Sequence, residues 1–390
     1  MSHQYHAAAH DFAAIREICE RHGFCLVKGV LNRDDLNGLL AGMRAASRVR
    51  QNSSDLLGLP ELRQIYFDPR LLAIARALLG PQLVYDGESN VNFEETIGAN
   101  TLNPYSRLHC DAKGMPGDIT RMWRSPTDAT YRAYRFGIYF QDYRHASGAL
   151  KVIVGSHRGD PAGYEEAQIF TGGMESHAIG RHRIECPAVR YPLYNLPSEP
   201  GDVVVWNLRT FHSAGAKLFA DNPSVAVHPK VEDDISAEAP ALFAPPPGPR
   251  NALFFDYAAP CEEIDLYIKW RAWPVSSDMS GRLAKRSDDP ATLRLAADNG
   301  VIMRHDGLIV ALAVTLASSN GPNPIQKLTA AEYDQMTQRL HGLLRTHAEF
   351  SPHFRMFDRE RFEKAANRNA AVASAVNGIV AALSVNPSAA

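Results

Sequence analysis

The chain has 390 residues, 45% hydrophobic and 22% charged, which is enough apolar material for a sizeable core in one or two domains. Its 41 basic and 43 acidic residues leave a formal charge of -2, so no chain-wide basic footprint points to nucleic acid or an anionic membrane. A small-molecule partner is the expectation. Five cysteines (Cys19, Cys25, Cys110, Cys186 and Cys261) are scattered without a C-x-x-C pair, which argues for reduced thiols in a cytoplasmic protein rather than a disulfide framework or zinc knuckle. "MSHQYHAAAHDF" lacks the basic-then-apolar pattern of a secretory signal, and the longest apolar run, residues 308–317, is too short to span a bilayer.

Residues 11–22 have helical spacing through Phe12, Ile15 and Ile18, with Gly23 as a C-cap, after which "FCLVKGVL" reads as a strand. Asn32 is placed to cap a helix whose apolar face carries Leu36, Leu39, Leu40 and Met43. From about 83 to 273 come short β-rich runs broken by Gly, Pro, Asn and Asp: "VNFEET", "YRFGIYFQDY", "ALKVIVGS", "GDVVVWNL" and "RNALFFDYA". Such a series predicts a sandwich or barrel. Residues 220–249 hold seven prolines and five acids and are expected to form a loop inserted between strands, because proline cannot donate to a ladder. After "WRAWP" at 270–274 the pattern turns helical, with a capping box from Thr329 to Glu332 and an Ala-rich segment beyond it. The expected organisation is a mainly-β domain over 1–273 with flanking helices, followed by a mainly helical extension over 274–390.

Within "PYSRLHCDAKGMPGD", His109 and Asp111 stand two apart, so on a strand an imidazole and a carboxylate project from one face and can grip one ion. A second, distant histidine would complete a 2-His-1-carboxylate set, which leaves three open positions on Fe(II). The motif alone is weak: 15 histidines and 43 acids in 390 residues give about 1.7 chance matches to H-x-acid, and two occur. The other, His347-Ala348-Glu349, ends a predicted helix. Context favours His109, because "GDVVVWNLRTFHSAG" runs a Gly-Asp turn into a buried strand and delivers His212 just past it. On residues alone, a satisfied core or turn histidine remains the other reading of His212.

Five segments together resemble the phytanoyl-CoA dioxygenase family of Fe(II)- and 2-oxoglutarate-dependent oxygenases. They are "HGFCLVKGVLNRDDL", "LHCD", "SGALKVIVGSH", "GDVVVWNLRTFHSAG" and "RNALFFDYAAP", in the family's order over roughly residues 11–273. The resemblance implies a double-stranded β-helix, a cupin-like jelly roll, with the metal at the open end between its sheets. It implies His109, Asp111 and His212 as iron ligands and 2-oxoglutarate and O2 as cosubstrates. It also implies hydroxylation of an unactivated C–H bond of a small organic molecule, with release of succinate and CO2. Asp111 stands where halogenating relatives carry a small residue, which implies oxygenation. Desaturation, epoxidation or ring formation by the same chemistry is the near alternative, and a catalytically silent jelly-roll binding or sensor protein is the alternative of another class.

The far carboxylate of 2-oxoglutarate needs a buried cation, and the planar guanidinium fork suits it. Relatives place that arginine shortly after the distal histidine, but here none occurs between His212 and Arg250. Arg250, which follows the Pro-rich segment and opens "NALFFDY", is the candidate, with Lys217 or Lys230 as alternatives. Asn92, on the alternating run "SNVNF", and Ser213 are candidate supporting contacts; Ala214 stands where many relatives have a hydroxyl. Arg107, Lys113, Arg121, Arg124, Arg132 and Arg135 interleave with Trp123, Tyr131 and Tyr134. This reads either as a cationic lid over a carboxylate, phosphate or planar substrate, with Arg121 and Arg124 as candidate contacts, or as a solvated loop of snorkelling arginines. His145, His157, His177 and His182 are not expected to bind metal.

Overall fold

The computed structural model describes residues 3–49, 56–85, 89–95, 108–111, 132–159, 166–261, 264 and 290–303. The capping box at 329–332, the candidates Arg121 and Arg124 and the Ala-rich C-terminal segment lie outside them.

Helix α1 (Phe12–His22) starts at Asp11, whose carboxylate accepts from the Ala14 N–H, and stops at Gly23 in the left-handed region (φ 86°). That left-handed residue feeds directly into β2 (Phe24–Lys28), which pairs in parallel with a short strand missed in the sequence, β1 (His6–Ala8). Helix α2 (Arg33–Val49) is capped by Asn32, whose side-chain oxygen accepts from the N–H groups of Asp34 and Asp35. Helix α3 (Pro69–Leu79) buries Leu71, Leu72, Ile74, Ala75, Leu78 and Leu79. These three helices lie against the apolar outer side of the larger sheet and share one core cluster with it.

The remaining strands in chain order are β3 (Leu83–Tyr85), β4 (Ser89–Glu95), β5 (Ala133–Tyr139), β6 (Ala149–Ile153), β7 (Phe170–Ile179), β8 (His182–Val189), β9 (Leu193–Asn195), β10 (Val203–Asn207), β11 (His212–Ala216), β12 (Arg250–Ala258) and β13 (Val301–Met303). The large sheet runs β1-β2-β10-β5-β12-β3-β13, with β4 also on β12, and a second sheet runs β11-β6-β9. A cluster of Phe24, Leu26, Tyr139, Leu150, Val152, Leu196, Val204, Trp206, Ala252 and Phe254 draws side chains from both sheets, so their inner faces close on a shared core. This is the expected double-stranded β-helix. β7 and β8 form a separate two-stranded ribbon.

Two departures from the sequence reading have simple causes. Residues 220–249 are not loop throughout: His228 caps a helix, α4 (Pro229–Glu238), with proline at its first position, where the missing N–H costs nothing. Beyond 273, where a mainly helical extension is expected, the described residues also hold a short strand that the sequence pattern did not signal. Helix α5 (Pro290–Asp298) is followed by β13, whose apolar "VIM" pairs in parallel with β3 and extends the large sheet.

Candidate metal centre

The three central strands of the large sheet are in register through one row: Trp206 of β10 lies opposite Arg135 of β5, which lies opposite Asp256 of β12. Cross-strand partners project from the same face, so an indole, a guanidinium and a carboxylate converge on one spot. Gly137, two residues from Arg135 on that face, leaves the space the indole needs. A Cβ there would stand 2.9 Å from Trp206 Cζ3 and 3.2 Å from Phe254 Cε1.

His109 and His212 bridge the segment 108–111 to β11, each backbone N–H donating to the other's carbonyl at 2.9 and 2.7 Å. Their rings lie 4.5 Å apart. The ligand atoms of His109, Asp111 and His212 all fall within 4.8 Å of one another, and this is the group of three potential metal donors found among the described residues. His212 Nδ1 stands 2.9 Å from the Thr210 carbonyl, which can only accept, so Nδ1 carries the proton and Nε2 keeps a lone pair facing Asp111 Oδ2 at 3.8 Å. Burial pushes His212 down to about 4, against the pull of Asp111, so near neutral pH it offers a neutral imidazole to a cation. Asp111 is held on both oxygens: Arg135 Nη1 donates to Oδ1 at 3.0 Å, and Trp206 Nε1 donates to Oδ2 at 3.4 Å. Two imidazoles and one carboxylate, gathered and partly dried, suit Fe(II) with positions left open.

The sequence segments around this group turn out to be its scaffold. Ser156 Oγ donates to the Ile153 carbonyl and accepts from the N–H of Phe211, the residue before His212. Gly23 accepts from Asn207 N–H and Thr210 Oγ1, and a Cβ at Gly23 would lie 2.6 Å from His157 Nδ1. The "HGF", "GSH" and "NLRTFH" segments are therefore one clamp that aims His212. His157 is part of that clamp, not a ligand: it is buried, bonds the Glu20 carbonyl and is pushed down to about 4 by burial. His145 and His182 are exposed and His177 is half-buried. Cys110 packs among Val84, Ala133 and Ile153, away from the triad face, and no disulfide joins any of the five cysteines.

Arg250, 7% exposed, lies on the same sheet face as Ala252, Phe254 and Asp256, with its guanidinium carbon 5.4 Å from the Phe254 ring centre and 5.8 Å from that of Tyr139. Trp206 meets Phe254 edge-on with ring centres 6.1 Å apart, so two aromatic rings step from the triad to Arg250. Asn92 is in register with Ala252 and shares that face. The Tyr139 hydroxyl, beside Arg250, is buried without a hydrogen-bond partner among the described residues, and burial raises its pKa so that it stays a donor. Lys217 is tied to Asp233 and Ser236, and Lys230 is exposed. Ser213 follows His212 by one residue and is in register with Lys151, on the opposite face of the second sheet.

Arg135, Asp256, Trp206 and Tyr139 escaped the sequence reading. In sequence Arg135 falls among the lid cations, yet it sits in a strand buried along its whole length and pairs with acids. A lone charge inside an apolar strand run, "AYRFGIY" or "LFFDYA", was the available signal.

The profile of the phytanoyl-CoA dioxygenase (PhyH) family matches residues 19–218, half of the chain, including all three triad residues. No curated protein matches. Among solved structures, the α-ketoglutarate-dependent epimerase SnoN from nogalamycin biosynthesis is 18% identical, covering 65% of this chain and 86% of its own, at a TM-score of 0.40. AviO1 from Streptomyces viridochromogenes is 19% identical over 64% and 96%, at 0.38. EctD from S. alaskensis, solved with iron, is 16% identical over 62% and 74%, at 0.38. Likenesses of this size carry no reaction or substrate across.

Proposed function

The chain belongs to the phytanoyl-CoA dioxygenase family of iron- and 2-oxoglutarate-dependent oxidoreductases, and from that premise we propose that it hydroxylates an unactivated C–H bond of a small organic molecule. The overall change is R–H + O2 + 2-oxoglutarate → R–OH + succinate + CO2. The observation that carries this reading is the His109, Asp111, His212 group, with donor atoms within 4.8 Å, on a wall that also carries a buried arginine.

Iron(II) held by the triad would supply the coupling of 2-oxoglutarate decarboxylation to O2 activation. The chain's own residues do the rest. The Thr210 carbonyl keeps the His212 proton on Nδ1, so that Nε2 is the ligand atom. Arg250 receives the far carboxylate of 2-oxoglutarate, pinned between the rings of Tyr139 and Phe254 so that little side-chain freedom is lost on binding. The Tyr139 hydroxyl gives that carboxylate a second donor, and Asn92 is placed to give a third polar contact. Trp206 and Phe254 wall the path between the two ends and keep water from it. Ser213 is left out, because it turns to the other face.

Succinate release by the full chain with Fe(II), 2-oxoglutarate and O2, screened against small-molecule candidates, tests the reading. A candidate that stimulates succinate and gains one oxygen atom supports hydroxylation. A product lacking two hydrogens and gaining no oxygen would replace it with desaturation or ring formation.

A further inference from the structure

Arg135 and Asp256 are charged, nearly or wholly inaccessible, and lie directly behind the metal group rather than in it. Arg135 is 6% exposed and Asp256 0%. The guanidinium uses three of its nitrogens on two acids: Nε and Nη2 grip Asp256 Oδ1 and Oδ2 at 2.6 and 2.8 Å, and Nη1 reaches Asp111 Oδ1 at 3.0 Å. Both grips follow from the cross-strand row, because β12 sets Asp256 directly opposite Arg135. A second bond, donated to Asp111 Oδ2 by the Trp206 indole N–H on the other neighbouring strand, fixes the plane of the carboxylate.

We propose that Arg135 is a positioning residue for the metal, and that Asp256 is its buried counter-charge. The guanidinium holds Asp111 Oδ1 at 3.0 Å and turns it toward Arg135, while Oδ2, under the longer 3.4 Å bond from Trp206 and 3.8 Å from His212 Nε2, is the oxygen that faces the ion. A carboxylate free to swing could close on the ion with both oxygens and fill a position that a bidentate cosubstrate needs. An isolated arginine there would hold Asp111 still but repel a divalent cation. Asp256 cancels that charge, so the lock acts by geometry at no net charge. The inference rests on the triad as a metal site, and not on the assignment of Arg250 or on any substrate.

The charge logic gives three variants whose signatures a merely structural ion pair would not produce. In Asp256→Asn, Arg135 still holds Asp111 but its charge is uncompensated, so Co(II) binding to the full chain should weaken about 10- to 100-fold. In the double variant Arg135→Gln with Asp256→Asn, the charge is neutral again and Co(II) affinity should return close to the parent's. The visible ligand-field spectrum of its Co(II) form should nevertheless change in intensity and position, because Asp111 is no longer held to one oxygen. Arg135→Lys, which keeps the charge but cannot fork between two acids, should show the altered spectrum too and serves if the double variant does not fold. Unchanged Co(II) affinity in folded Asp256→Asn would overturn the counter-charge. A parental spectrum in the double variant or in Arg135→Lys would overturn the lock. The cosubstrate is absent throughout, so a wrong assignment of Arg250 would leave these readings untouched. If the parent itself bound no Co(II), the triad reading would fail with it.

Discussion

Among the described residues two clusters of paired charge are buried, and they sit on opposite faces of adjacent residues. One is Arg135 with Asp111 and Asp256 on the inner face beside His212; the other is Lys151 with Glu232 on the outer face, in register with Ser213. Lys151 is 0% exposed, and its ammonium bonds Glu232 and the Val227 carbonyl, both from the segment that carries α4. The inner cluster shapes a site; the outer one fastens the 220–249 segment to the back of the second sheet. What separates them is strand parity: a one-residue step from His212 to Ser213 exchanges chemistry for packing. Buried charge by itself therefore does not mark the site, and the group it converges on does.

The comparison can be broken first at the outer cluster. Glu232→Gln keeps the shape but leaves Lys151 a buried ammonium without its counter-charge, so urea denaturation should find about 3–5 kcal/mol lost. Metal affinity of the folded variant should stay within about twofold of the parent, as expected for separate sites. A large loss of metal affinity with little loss of stability would show that the outer face belongs to the site after all. Burial lowers Lys151 and raises Glu232, each working against the charged form that its partner supports, so the pair is held at a desolvation cost and replacing it jointly by Met and Leu should be near neutral in stability.

The clamp that aims His212 gives a pH signature. Burial lowers His157 from 6.5 to about 4, so between those values the unfolded chain holds more protons than the folded one. Stability must then rise with pH across that window and fall on acidification through it. This one group contributes up to about 3 kcal/mol. His157→Gln should flatten the slope by that amount in denaturation curves taken at intervals from pH 4 to 7; an unchanged slope would remove His157 from the account. A smaller effect is expected at Gly137. Gly137→Ala presses a methyl on the Trp206 and Phe254 rings and should cost about 1–3 kcal/mol, with a shift in tryptophan fluorescence as the indole moves off Asp111.

Much of this was legible in the chain. Periodicity and caps foretold α1, β2 and α2, because Asp11, Gly23 and Asn32 are local signals acting over a few residues. His212 could be picked out because the apolar run "VVVWN" delivers it, whereas His109 and Asp111, whose segment makes only an isolated bridge to β11, were legible through the family resemblance of "LHCD". Other features depend on register across strands distant in sequence, which no local pattern encodes. Arg135 meets Asp256 across 121 residues and Asp111 across 24, and Lys151 meets Glu232 across 81. The short strands β1 and β13 are three residues each and exist only because a partner edge was waiting for them. In 220–249, the prolines that argued against strand did not argue against a helix that begins on one.

The central claim is that His109, Asp111 and His212 hold an iron on which 2-oxoglutarate chelates. Its direct test is anaerobic addition of 2-oxoglutarate to the Fe(II)-loaded protein, read by visible absorption. A weak charge-transfer band that saturates with 2-oxoglutarate, and that is missing from folded Asp111→Ala, is the expected result. Folded, Fe(II)-loaded protein that gives no band, or an Asp111→Ala variant that keeps it, would contradict the account.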